Sequence, residues 1–164
     1  MQRKFNVNLI LCEAFDEESK TVYRMFNEIT TDEKHTATFN LVTFINSFGD
    51  VETDGKYSLH YYLMEQKLDD SGKRKGIYLG AVSFMTNAQE NSNEKKTNSN
   101  TFAQMKLEKI PFINENEYHI EAYMVEGSFD RGMGYSELKE KSVEYRKVGE
   151  LVSISAFDVK FPVS

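Results

Sequence analysis

The chain has no tryptophan, one cysteine (Cys12) and two prolines in 164 residues. A lone thiol excludes a disulfide scaffold, and an apolar content of 40% with 13% aromatics excludes collagen-like and disordered classes. Long apolar runs are missing too: none approaches the roughly 20 residues that a membrane-spanning helix requires. The start, Met1 to Glu13, is interrupted by Asn6 and Asn8, and no small-residue cleavage site follows it. It reads as a strand of a mature, cytoplasmic protein. An excess of basic residues is likewise absent. The net charge of −6 opposes the counterion-release attraction on which nucleic-acid binders depend, so no nucleic-acid partner is expected. The one dense basic cluster, Lys73-Arg74-Lys75, lies between Gly72 and Gly76 after Asp69-Asp70 and reads as a solvated turn. Membrane docking would want a longer basic run or an amphipathic helix, so no membrane partner is expected either.

What the chain does have is period-two alternation, which a strand with one buried face imposes. Phe5, Val7, Leu9 and Leu11 alternate with Asn6 and Asn8, and after the polar stretch Asp16 to Ser19 a second strand, Thr21 to Ile29, completes a predicted hairpin. Residues 36–48 carry Phe39, Leu41 and Ile45 on one face and Val42 and Phe44 on the other, as a central strand does. Tyr57, Leu59, Tyr61 and Leu63 alternate with Ser58, His60 and Tyr62, and the turn Asp69 to Lys73 leads into residues 77–85 as a second hairpin. Residues 86–100 are Asn-rich and nearly free of apolar groups, so a flexible loop is expected there. Two more strands follow, at 101–109 and 118–124. Ser136 to Val148 is the one plausible helix, capped by Ser136, with Leu138, Ser142, Tyr145 and Val148 at helical spacing. Its apolar stripe is thin, so a short helix or an irregular excursion near 136–148 is expected within an insertion at 127–150. At the end, Val152, Ile154 and Ala156 give way to Phe157, Val159 and Phe161, a parity change that a β-bulge between Ala156 and Phe157 would absorb. The expectation is one domain, residues 1–164. It is all-β, with about eight antiparallel strands in a sandwich, because no βαβ alternation is present.

No complete catalytic motif appears. Gly127 to Tyr135 lies between a strand and the helix but lacks both the P-loop ending and the third glycine of a dinucleotide fingerprint. There is no nucleophile elbow and no His-Glu-x-x-His. His35, His60 and His119 do not stand at zinc-ligand spacing; His60 and His119 fall opposite the apolar sets of their strands and read as surface residues. Cys12 reads as a buried structural thiol. Asp50, Glu52, Asp54 and Gly55 match the first half of an EF-hand loop, but its twelfth position is Tyr61, which cannot supply the bidentate carboxylate. An acidic hairpin loop is the plain reading. A calcium site between end loops, using Asp16, Asp50, Glu52 and Asp54, is the alternative. No cofactor is expected. Nine Tyr and twelve Phe exceed the needs of an ordinary core. Ordinary two-sided packing in a sandwich is the plain reading, and the alternative is an aromatic-rich protein contact surface with Tyr61, Tyr62 and Tyr123 as its candidate residues.

Leu9-Ile10-Leu11-Cys12-Glu13, the second strand Lys20 to Ile29, and the C-terminal segments Tyr118 to Tyr123 and Phe157 to Val163 resemble a family of small uncharacterised bacterial β-sandwich proteins, a domain of unknown function. The resemblance implies an immunoglobulin-like or C2-like sandwich and carries over no site residues. These readings converge on a non-catalytic bacterial or phage β-sandwich, monomer or homodimer, that binds another protein. The alternatives are a phage or mobile-element inhibitor of a host defence enzyme, and a calcium- or ligand-binding domain or enzyme using loop carboxylates.

Overall fold

The computed structural model describes residues 5–47, 56–85, 100–127 and 132–163. In chain order the elements are β1 (Phe5–Asp16), β2 (Thr21–Met25), β3 (Glu28–Thr30), β4 (Thr36–Ser47), β5 (Lys56–Leu68), β6 (Arg74–Met85), β7 (Asn100–Pro111), β8 (Asn116–Glu126), α1 (Tyr135–Glu140), α2 (Ser142–Val148) and β9 (Glu150–Lys160). The strands form an all-β sandwich with a four-stranded sheet in the order β2-β1-β4-β7 and a five-stranded sheet in the order β3-β9-β8-β5-β6. Among the described residues, no helix is long and apolar enough to cross a membrane.

Alternation decides which residues meet between the sheets. Phe5, Val7 and Leu11 of β1 and Phe39, Leu41 and Ile45 of β4 pack into one buried cluster with Leu59, Tyr61 and Leu63 of β5 and Ile120 and Ala122 of β8. Rings bridge the layers edge-to-face, Phe5 lying 4.8 Å from Tyr57 and 5.9 Å from Phe84. Each such side chain stabilises the fold by roughly 1.5–3 kcal/mol on burial. A polar contact also spans the gap: the hydroxyls of Thr43 and Tyr61, each 1% exposed, are 2.6 Å apart. Burial raises the Tyr61 phenol, so this is a bond between neutral groups.

Both predicted hairpins form. Asp16 closes the first, accepting from the backbone N–H groups of Glu18 and Ser19. Asp69 closes the second, accepting from Ser71 and from the Lys73 N–H, with Gly72 at φ +78° supplying the left-handed residue. The predicted strand Thr21 to Ile29 is two strands. β2 pairs with β1, whereas β3 lies parallel to β9 in the opposite sheet. The Phe26 N–H still reaches the Leu11 carbonyl while the Asn27 carbonyl accepts from Asp158. The chain thus changes sheets across two residues, and apolar alternation does not register such a transfer.

The bulge in β9 is also displaced from its expected place. Pairing with β8 is unbroken from His119–Ala156 to Tyr118–Phe157, and the shift lies at Val152, between Ser153 opposite Ala122 and Leu151 opposite Tyr123. Ile154 and Ala156 are therefore exposed while Val152 and Phe157 are buried. At 136–148 there are two short helices, and the N-cap is Gly134 without a side-chain cap bond, so Ser136 lies inside α1. The Asn-rich stretch through Ser99 and the acidic residues Asp50, Glu52 and Asp54 lie outside the described residues.

Tyr61→Phe orphans the Thr43 hydroxyl and is expected to cost about 1–2 kcal/mol in urea unfolding; Thr43→Val added to it should recover most of that loss, because removing both partners of a buried bond is nearly neutral.

Candidate functional site

The outer face of the five-stranded sheet is the chemically rich part of the molecule. β5 is buried without a break from Ser58 to Met64, and β8 from Tyr118 to Ala122. Strands buried on both faces need a cover, and the segment 132–149 supplies it: Leu138 of α1 and the Tyr145 ring of α2 pack on Tyr62, Met64 and Tyr78. Hydrogen bonds tie the cover down. Tyr62 donates to the Ser142 carbonyl, and Tyr135 to the Tyr78 carbonyl at 2.6 Å. Burial raises the phenols of Tyr62 and Tyr78, which keeps both protonated.

Both strand histidines are buried, His60 under this cover, which corrects the reading of them as surface residues. His60 is 0% exposed; its Nε2 meets the Ser58 hydroxyl at 2.9 Å, its Nδ1 the Tyr78 hydroxyl at 2.9 Å, and Tyr145 stacks on it at 4.0 Å. Burial lowers its pKa to about 4, so it is neutral at pH 7. Ser58 and His60 have the spacing of a nucleophile and base, but both are sealed from solvent, so no substrate reaches them. His119 is buried beside Glu121, Nε2 to Oε2 3.4 Å, and its Nδ1 has no hydrogen-bond partner among the described residues. The other Glu121 oxygen accepts from Arg146 of α2 at 2.8 Å. The Arg146 guanidinium lies 6.0 Å from the Tyr62 ring centre and 5.8 Å from that of Tyr123.

Between α2 and the β5–β6 hairpin runs a groove of about 370 Å³. Arg74 of β6 and Arg146 and Lys147 of α2 line it, with Met64, Ile77 and Val143 as apolar walls, and no lining residue is acidic. Glu121 compensates Arg146 from below. Arg74 donates to the Gln66 carbonyl, and among the described residues neither it nor Lys147 has a carboxylate partner. Gly76 makes room here: a Cβ on it would stand 2.1 Å from the Met64 sulfur. A second hollow, between β3 and β4, has its acidic groups engaged: Glu13 pairs with Arg24, Glu28 with Lys160, and Asp32 with Thr36.

The predicted site residues separate. Tyr61 points into the sandwich core at 1% exposure, so it presents nothing to a partner; inward alternation of β5 puts it there. Tyr62 and Tyr123 lie together on the outer face, rings 5.5 Å apart, Tyr62 lining the groove and Tyr123 half-buried beside Arg146. Asp16 is spent on its own turn, and among the described residues no group of His, Cys, Asp and Glu is placed to hold a metal. Cys12 is fully buried and its thiol raised by burial. The sequence pattern does not single out Arg74, Arg146 and Lys147 as a set, since Arg74 and Arg146 are 72 positions apart and meet only through the fold. Comparison with known proteins finds no family model, no curated protein and no solved structure that matches this chain.

Two measurements test this arrangement. A His whose folded pKa is depressed contributes fully above its unfolded value near 6.5, and stability falls as pH drops toward 4. The wild type should therefore lose about 3 kcal/mol more than His60→Gln between pH 7 and pH 4, read from urea midpoints. Gly149 ends α2 where a Cβ would stand 2.7 Å from the Tyr145 carbonyl and 3.2 Å from Tyr123; Gly149→Ala should cost about 1–3 kcal/mol and change the near-UV tyrosine signal.

Proposed function

We propose that the protein is a non-catalytic β-sandwich that binds another protein through the helix-covered outer face of its five-stranded sheet. The observation that supports this is a concentration of exposed apolar side chains. Tyr135, Val143, Val148, Leu151 and Ile154 are each between 42% and 66% exposed, and all belong to α1, α2 or the outer face of β9. Leu151 stands opposite Tyr123 and Ile154 opposite Glu121, beside the groove-bearing helices. Single exposed apolar residues are ordinary, but a gathering on one face marks an interaction surface. The surface is amphipathic, with half-buried Tyr123 and exposed Arg146 beside these apolar side chains, a combination favoured where proteins meet.

A photo-crosslinking residue at Val143 or Ile154 should yield one discrete adduct in cells of the source organism, whereas the same residue at Tyr23 or Met25, on the opposite sheet, should yield none. Equal labelling from both sheets, or none from Val143 and Ile154, would remove this reading.

A further inference from the structure

We infer that the groove between α2 and β6 receives an acidic, partly apolar segment of the partner, an inference that rests on the binding role proposed above. The chain carries net charge −6, yet Arg74, Arg146 and Lys147 converge on one groove with no acidic lining residue. Such a local reversal of sign does not follow from composition, since carboxylates outnumber cations 26 to 20. Two of the three charges, Arg74 and Lys147, lack an internal counterion among the described residues. Arg146 is different: Glu121 holds its guanidinium at 2.8 Å with Tyr123 as a second acceptor at 3.4 Å. It is a pre-positioned donor, and the field that attracts a ligand comes chiefly from Arg74 and Lys147.

The walls determine the rest of the ligand. Met64, Ile77 and Val143 give the groove an apolar side, and Ile77 and Val143 are 44% and 66% exposed. A bare inorganic anion would leave these surfaces in water. A peptide with carboxylates spaced by apolar side chains satisfies both the cations and the walls, and 370 Å³ matches the size of a small-ligand cleft, enough for a few side chains. Polynucleotide shares the charge but is repelled by the remaining surface of an acidic protein. Arg74, the middle residue of the run Lys73-Arg74-Lys75 that reads in sequence as a solvated turn, is in this assignment the cation of the β6 wall, and its two lysine neighbours do not line the groove.

The test uses the full chain and two fluorescein-labelled peptides, one alternating glutamate with leucine and the other carrying glutamine at each glutamate. By fluorescence anisotropy the acidic peptide should bind about tenfold tighter at about 50 mM salt, with the preference fading near about 300 mM. Arg74→Gln combined with Lys147→Gln, both at exposed positions, should abolish the preference without moving Tm, and Lys106→Gln on the other sheet should preserve it. The inference is overturned by equal binding of the two peptides, by a preference that survives the double substitution or is lost equally in Lys106→Gln, or by tighter binding of a labelled thymidine oligonucleotide. Crosslinks from Val143 without acidic-peptide preference would sink this inference while leaving the binding role standing.

Discussion

Burial of β5 and β8 on both faces is the constraint from which most of this molecule follows. Alternation sends Leu59, Tyr61, Leu63 and Ile120 into the sandwich, and it sends Ser58, His60, Tyr62, His119 and Glu121 just as strictly to the other side. That outer set is polar and buried, and buried polar groups are costly unless paired. The helical segment meets the need with a backbone carbonyl at Ser142, a stacking ring at Tyr145 and a guanidinium at Arg146. The helices gain in return, since six and seven residues are too few to hold a helix without tertiary contacts.

The same arrangement creates the groove. α2 is held near its start by Tyr62 and at its end by the close seat of Gly149 against Tyr123. Its position over the β5–β6 hairpin brings Arg146 and Lys147 to the side where Arg74 emerges from the turn. The cover that neutralises a buried carboxylate thus also displays cations to solvent, and packing and electrostatics act through one short segment.

Much of the sandwich is legible in the sequence because period two is a direct consequence of one-sided burial. Both hairpins, the two-sided character of β4 and the existence of a short helical insertion are readable from Phe5 to Leu11, Thr36 to Ile45, Tyr57 to Leu63 and Ser136 to Val148. The transfer of β3 to the other sheet is not, since Ile29 is apolar whichever sheet receives it. The β9 bulge is legible as a parity change but not as a position, because Ile154 and Ala156 are apolar residues that face outward. The candidate site is the least readable. Composition does not separate Tyr61, which belongs to the core, from Tyr62 and Tyr123 on the outer face, and alternation alone puts the histidines at a surface that is in fact buried.

By itself the sequence determined the strand pattern, the turns at Asp16 and Asp69, the acidic balance and the buried thiol, since each rests on local chemistry or on a sum over residues. Only the tertiary structure decided that the outer face of the five-stranded sheet is roofed over, that His60 is consequently neutral, and that Arg74 meets Arg146 and Lys147 in one groove. Those outcomes depend on which elements stack on which, and no local periodicity encodes a groove lined from two segments 72 positions apart in the chain.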